Sequence, residues 1–309
     1  MAKLFLSISL LILGISQSLI QGVNSSATFT FVNKCDKTVW VGILSNAGIT
    51  PLEPTGFALE KGESHALNAP ASWGGRFWGR TDCSEDSDGK FTCGTGDCGS
   101  GKIECAGAGA TPPATLAEFT LDGDGGMDFF DVSLVDGYNL PMLVAPTGGS
   151  GRNCTYTGCM VDLNGACPSA LKVMNSDGEG VACKSACEAF GEQEYCCSGA
   201  FGTPDTCKPS SYSQLFKTAC PRAYSYAYDD KTSTFTCNGA DYQVTFCPPS
   251  TTSKKTTDGQ QSPAAPDFNP GMVYEGADAM ENSGTPQRHT YIHAVIVAVV
   301  AVIMMVAFL

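Results

Sequence analysis

The protein has 309 residues, a formal net charge of −13 and 16 cysteines. This acidity argues against a nucleic-acid partner, because binding to phosphates requires a positive surface. A neutral or cationic ligand is expected instead. All the cysteines lie between Cys35 and Cys247. Cytosolic proteins rarely carry so many, and the close spacings do not match repeated zinc-ligand pairs. We therefore expect eight disulfides in an extracellular protein that holds no metal and no other cofactor.

The N-terminal segment, residues 1–22, is predicted to be a signal peptide. It has a basic Lys3 and a short apolar run at 4–13, and small residues follow between Gly22 and Ala27. Cleavage is expected within 22–27. A retained anchor is the alternative, but the cysteines that follow argue for export and removal.

The predicted elements of the domain that follows, residues 27–248, are mostly strands. At its start, Phe29 and Phe31 alternate with threonines, and 39–41 is a second apolar run. Short β-like runs then alternate with Gly, Asp, Asn and Pro, which is typical of an antiparallel sandwich. A helix is predicted at 181–190, with Cys183 and Cys187 on one face. Ten cysteines at 154–237 indicate a disulfide-stabilised lobe, and strands are predicted at 232–237 and 242–247.

The C-terminal region is predicted to hold the domain at a membrane. Residues 249–281, which are rich in Thr, Ser, Pro and Gly, are expected to form a disordered stalk. Residues 282–309 combine the small triplet Asn282-Ser283-Gly284, a polar spacer and an apolar segment at 294–309. This pattern indicates a glycosylphosphatidylinositol (GPI) anchor signal, with attachment at Ser283 or Asn282. A transmembrane helix is the alternative, but such helices usually need about 20 apolar residues.

Six blocks of the chain resemble the thaumatin-like proteins, the group-five pathogenesis-related proteins that include osmotin. The segment GKFTCGTGDCGSGKIEC at 89–105 is similar to the signature of that family. The other blocks follow in family order and are GGRFWGRTDC (74–83), TLAEFTLDG (115–123), DFFDVSLVDGYNLPM (128–142), CPRAYSYAYDD (220–230) and STFTCNGADYQVTFCP (233–248). The resemblance covers essentially all of 27–248.

The resemblance implies an all-β fold, a flattened antiparallel sandwich with about eleven strands. It also implies a disulfide-rich loop and helix lobe around 160–220 and a small two-disulfide loop lobe around 81–111. The disulfide pairs that it implies are Cys35–Cys247, Cys83–Cys93, Cys98–Cys105, Cys154–Cys237, Cys159–Cys220, Cys167–Cys183, Cys187–Cys196 and Cys197–Cys207.

The resemblance also implies an acidic cleft between the sandwich and the larger lobe. Its residues here would be Arg76, Glu118, Asp131, Asp136 and Asp229. Clustered carboxylates raise one another's pKa, so one can stay protonated while another is ionised. Glycoside hydrolysis requires such a pair. Aromatic side chains that could stack on sugars nearby are Phe129, Phe130, Tyr138, Tyr224 and Tyr228, although relatives often have Trp at the position of Phe130.

The leading hypothesis is a monomeric plant defence protein that binds β-1,3-glucan of fungal walls at the outer face of the plasma membrane. One alternative is an endo-β-1,3-glucanase with Glu118 as the acid and Asp136 or Asp131 as its partner. Another is an inhibitor of a secreted hydrolase. The carboxylates could also serve only to cap turns. His65 is the domain's single histidine and is interpreted as structural, so catalysis by a histidine-activated nucleophile is not expected.

The sequence Asn153-Cys154-Thr155 is an N-glycosylation sequon. Modification of Asn153 is expected to compete with early formation of the disulfide at Cys154.

Overall fold

The computed structural model describes residues 27–249. The signal peptide predicted at 1–22, nearly all of the stalk at 249–281 and the anchor signal at 282–309 lie outside the described residues. Within 27–249, no helix is both long and apolar enough to cross a membrane.

Strands and short helices alternate along the described part of the chain. The strands are β1 Ala27–Asn33, β2 Val39–Ser45, β3 Gly56–Leu59, β4 Ser64–Ala69, β5 Gly74–Glu85, β6 Phe91–Thr95, β7 Leu116–Thr120, β8 Asp128–Ser133, β9 Met142–Ser150, β10 Thr157–Cys159, β11 Lys172–Met174, β12 Gly180–Cys183 and β13 Phe235–Phe246. The helices are α1 Ala186–Phe190, α2 Gln193–Cys196, α3 Ser211–Ala219 and α4 Asp230–Ser233, with 3₁₀ turns at Asp124–Gly126 and Gly199–Phe201. The expected all-β class is therefore confirmed.

An 11-stranded sheet forms the centre of the domain, and strand β13 connects its two arrays. The first residues of β13, Phe235 to Cys237, pair with β8, whereas its later residues pair with β9 and β1. One array is ordered β8-β7-β5-β2-β3, and the other contains β4, β1, β13, β9 and β10. The two arrays face each other through side chains such as Phe29 of β1 and Phe77 of β5, whose ring centroids are 4.8 Å apart.

The sheet departs from the expected antiparallel pattern at one pair, because β1 and β13 are parallel. Parallel pairing places the C-terminal ends of both strands together, with Asn33 opposite Phe246. Cys35 and Cys247 follow directly and form a disulfide with 4.9 Å between their Cα atoms. This bridge therefore closes the two ends of the domain, which are 212 residues apart in sequence.

Aromatic side chains fill the space between the arrays. Strand β1 alternates buried and half-buried residues, as a strand with one covered face should. Its Phe29 and Phe31 are fully buried, and Phe29 contacts the rings of Phe119 and Tyr242 at 4.7 and 5.8 Å. Burying one such side chain contributes about 1.5–3 kcal/mol. The start of the domain is thus a core strand, as its alternating pattern predicts.

The eight disulfides of the structure are the pairs that the family resemblance implies. No cysteine among residues 27–249 is free. Two bridges staple the small lobe, Cys83–Cys93 and Cys98–Cys105. Four others lie wholly within residues 159–220 and cross-link the larger lobe.

The helix predicted at 181–190 is wrong at its start. Cys183 belongs to β12, where its backbone exchanges two hydrogen bonds with Tyr138, at 2.7 and 2.8 Å. The helix begins only at Ala186, after Ser185 caps it by accepting from the amide of Glu188. Cys183 and Cys187 therefore do not share a helix face, because backbone hydrogen bonds to Tyr138 hold Cys183 in a strand.

The longest helix of the described residues, α3, was not predicted. Ser210 caps it by accepting from the amide of Ser213, and Tyr212, Phe216 and Ala219 recur at helical spacing. That capping residue and that spacing are the signals that identify it in the sequence.

Candidate functional site

Three adjacent strands bring Arg76, Glu118 and Asp131 side by side. Arg76 of β5 lies opposite Glu118 of β7, and Glu118 lies opposite Asp131 of β8. Directly opposed residues in antiparallel strands have Cβ atoms about 4.5–5.5 Å apart. The sheet register therefore builds a row of one cation and two carboxylates on the face that points away from the core.

The small lobe covers the other end of the same sheet face. Trp78 and Arg80 follow Arg76 on β5 at every second residue, and both are fully buried. The Trp78 indole donates to the carbonyl oxygen of Gly96 at 2.8 Å, and Arg80 donates to that of Ile103 at 2.5 Å. The small lobe thus covers Trp78 and Arg80 and leaves the row that begins at Arg76 accessible.

The row forms the floor of a groove that two cavities define. One has a volume of about 340 Å³, and its lining adds Asp136, Tyr224 and Asp230 to the row. The other, of about 250 Å³, is lined by the same three charged residues together with Asn46, Thr120 and Phe129. The structure therefore brings together four of the five residues expected in the cleft, Arg76, Glu118, Asp131 and Asp136.

A tight turn after β8 positions Asp136. The Asp136 carbonyl accepts from the amide of Ala114 at 3.0 Å, and the amide of Gly137 donates to Leu134. Gly137 has a φ of 86°, and a Cβ there would lie 2.7 Å from Pro113. Only glycine fits such a position without strain, so the backbone holds Asp136 at the edge of the cleft.

Asp229, the fifth residue expected in the cleft, does not line it. Its carboxylate accepts from the backbone amide and hydroxyl of Ser225, both at 3.0 Å, and pairs with Lys217 at 2.8 Å. Its neighbour Asp230 lines the cleft instead and accepts from the Tyr224 hydroxyl at 2.9 Å. The expectation for Asp229 is thus corrected, because this residue serves an internal ion pair where α4 begins.

Burial raises the pKa of both central carboxyls. For Glu118, burial raises the pKa, Arg76 lowers it, and Asp136 raises it further. For Asp131, burial holds the pKa well above its usual range, and Glu118 adds to the effect. The ion pair of Arg76 and Glu118 is long, at 3.5 Å, and each side chain is about one-third exposed. The ion pair therefore offsets only part of the rise in pKa that burial causes.

Two buried polar atoms in the cleft have no hydrogen-bond partner within the described residues. They are Nε of Arg76, a donor, and Oδ1 of Asp131, an acceptor when ionised. Leaving such a group unpaired costs about 1–3 kcal/mol. A ligand group able to bind them would offset that cost.

Residues 33–248 match the family model described as Thaumatin family. The chain belongs to the thaumatin family. Thaumatin-like protein 1 of Arabidopsis thaliana is 60% identical over 231 residues, which are 73% of this chain and 87% of the relative. Thaumatin-like protein 1 of Pyrus pyrifolia is 58% identical over 224 residues, 72% of this chain and 91% of the relative. A Prunus avium relative named glucan endo-1,3-beta-glucosidase is 52% identical over 244 residues, 79% of this chain and 97% of the relative.

The five candidate aromatic residues of this thaumatin-like domain differ in their position relative to the groove. Phe130 and Tyr138 are buried in the core, at 1% and 0% exposure, so neither can stack on a sugar. Tyr228 donates its hydroxyl to the carbonyl of Gly202. Phe129 and Tyr224 line the groove. Because the phenylalanine at 130 points into the sandwich, the choice of side chain there concerns packing rather than the cleft.

His65 occupies a structural position in the domain. It lies on β4 opposite Phe31, and its ring centroid is 4.3 Å from that of Phe57. Residues 27–249 contain no group of His, Cys, Asp and Glu side chains arranged to hold a metal ion.

Proposed function

We propose that this protein is an extracellular thaumatin-like protein of the plant defence type that binds β-1,3-glucan in the acidic cleft. The supporting observation is that two buried atoms of the cleft are unpaired, the donor Nε of Arg76 and the acceptor Oδ1 of Asp131. A sugar hydroxyl both donates and accepts, so separate hydroxyls of one glucan chain can satisfy the two atoms. Their pairing would recover part of the cost of burying them.

The charge of the cleft favours a neutral polymer over an anionic one. Four carboxylates, Glu118, Asp131, Asp136 and Asp230, line it together with a single arginine. Acidic polysaccharides such as polygalacturonate would be repelled. A neutral glucan meets hydrogen-bond acceptors without that repulsion.

The test is binding to laminarin by Asp131→Asn with Asp136→Asn. The double variant keeps the shape of both side chains but removes two ionisable acceptors. Hydrogen bonds to charged groups contribute about 1.5–3 kcal/mol, so binding should weaken about tenfold or more. The matched control is Asp124→Asn with Asp205→Asn, which makes the same charge change at two exposed positions. Wild-type affinity in the cleft variant would show that the glucan binds elsewhere or not at all.

A second candidate function is endo-β-1,3-glucanase activity, which the raised pKa values favour. A carboxyl that stays protonated can donate its proton to the glycosidic oxygen, while an ionised partner acts as base or nucleophile. Burial raises the pKa of both Glu118 and Asp131, so either carboxyl can serve as the proton donor. Asp136, which lines the same groove as Glu118 and Asp131, would serve as their partner.

Release of reducing sugar from laminarin separates cleavage from binding. Loss of release in both Asp131→Asn and Asp136→Asn, with release retained in the exposed-aspartate control, would support the glucanase. Binding without any release by the wild-type protein would refute it and leave the binding function intact. The hydrolase-inhibitor hypothesis stays a prediction, and adding the protein to fungal or plant hydrolase assays tests it.

We also propose that the domain is exported and held at the plasma membrane by a GPI anchor. The support is the arrangement of the small triplet at Asn282, the polar spacer and the apolar segment 294–309. Phosphatidylinositol-specific phospholipase C should release the membrane-associated protein, and Ser283→Leu with Asn282→Leu should prevent attachment. Recovery of the 294–309 peptide from mature membrane protein would contradict the anchor and establish a retained helix.

A further inference from the structure

A further cavity, which lies in the larger lobe, adjoins the cleft. It has a volume of about 240 Å³ and lies among α1, α2 and α3. Val135, Asp136 and Ala227 line both this cavity, here called the lobe pocket, and the cleft. Asp136 therefore stands at the boundary between the cleft and the lobe pocket.

The lobe pocket is lined by aromatic rings and by polar groups that make no hydrogen bond to other described residues. Tyr195, Tyr226 and Glu194 line it, and their side chains make no hydrogen bond within residues 27–249. The serines of the same lining differ, since Ser225 donates to Asp229 and Ser213 to the carbonyl of Ser210. The groups free to bind a ligand are thus two phenol hydroxyls and a carboxylate.

The aromatic wall of the lobe pocket is held in place by its surroundings. The ring of Tyr195 lies 5.6 Å from that of Phe190 and 6.0 Å from that of Tyr212. The adjacent Cys196 is tied to Cys187 by a disulfide, and both cysteines line the pocket. A site fixed in this way loses little side-chain freedom when a ligand binds.

On the basis of the function proposed above, we propose that the lobe pocket is a second subsite for a neutral oligosaccharide chain whose other part occupies the cleft. The faces of the tyrosine rings would pack on the apolar C–H faces of sugar rings, as amphipathic aromatics do at partly wet surfaces. Glu194 and Asp136 would accept from sugar hydroxyls. With Glu188 also in the lining, carboxylates outnumber the one lysine, Lys208, so an anionic chain is disfavoured.

The test compares a short and a long ligand by calorimetric titration, using laminaribiose and laminarihexaose. The wild-type protein should bind the hexaose more tightly, because only the longer chain reaches both sites. Tyr195→Ser should weaken hexaose binding by about fivefold to tenfold and change biose binding by less than about twofold. Tyr195→Phe keeps the ring and should retain most of the hexaose affinity. Tyr226→Ser provides an independent variant with the same expected pattern.

Two controls separate the subsite from the cleft. Tyr156→Ser removes a tyrosine ring that is 45% exposed and lies outside the linings of the pocket and the cleft, so it should leave both affinities unchanged. Asp131→Asn should weaken the binding of both ligands. If Tyr195→Ser and Tyr226→Ser leave the hexaose affinity at the wild-type value while Asp131→Asn lowers it, the subsite is refuted and the cleft function stands. If the wild-type protein binds neither ligand, both proposals fail.

Discussion

Replacing Arg80 by methionine should destabilise the domain strongly, although Arg80 lies outside the cleft. Its side chain is fully buried, and its guanidinium donates to the carbonyl oxygens of Trp40, Val41 and Ile103 at 3.2, 3.1 and 2.5 Å. Burial lowers the pKa of Arg80 to about 10, against the opposing effect of nearby carboxylates. The group is therefore charged at neutral pH and joins the small lobe to strand β2.

The size of the effect follows from the carbonyls that would lose their donor. Methionine replaces much of the side-chain stem, so the cavity left behind is small. Three carbonyls would lose a hydrogen bond from a charged donor, which contributes about 1.5–3 kcal/mol each before water or local relaxation compensates. The expected loss is about 3–5 kcal/mol. Since each kcal/mol lowers the Tm of a domain of this size by about 2–4 °C, the Tm should fall by about 10–15 °C.

Differential scanning calorimetry of the oxidised protein at pH 7 measures this change. Arg152→Met is the matched control, because Arg152 is exposed and its loss should leave the Tm unchanged. A Tm for Arg80→Met within about 2 °C of wild type would refute the reasoning, since it would mean that the three carbonyls gain nothing from the guanidinium.

Three further predictions concern the cleft, the core and the surface. Burial raises the folded-state pKa of Asp131 above its unfolded value, so wild-type stability falls as pH rises through that interval. Asp131→Asn should therefore stabilise the domain increasingly from pH 4 to pH 8, and a variant less stable than wild type at pH 8 contradicts this. Gly42→Ala should cost about 1–3 kcal/mol, because its Cβ would lie 2.3 Å from the Trp78 ring; Gly165→Ala, with open space around it, is the control in thermal unfolding. Asn153 is exposed, and its amide donates to a backbone carbonyl. Replacing the neighbouring cysteine should increase its glycosylation, measured as a glycosidase-induced mass shift, and equal occupancy would argue against competition.

Much of the fold could be predicted from the sequence because its signals are local. Alternation around Phe29 and Phe31 predicts a strand with one buried face, and β1 has this pattern. An even number of cysteines in an acidic chain predicts an oxidised domain, and the family blocks predict the pairs that the structure forms. The family likewise implies Arg76, Glu118 and Asp131, whose strand register brings them together.

Only the tertiary structure decided which neighbouring residue serves the cleft and which serves the interior. Asp229 and Asp230 are chemically identical and adjacent, yet Lys217 draws one into an internal ion pair and the other lines the cleft. Cys183 lies in a helical pattern but becomes a strand residue because Tyr138, distant in sequence, supplies its hydrogen bonds. The composition and local pattern determine that this is an oxidised, acidic β-domain. Burial and long-range pairing determine the rest, since both depend on contacts that no local pattern contains.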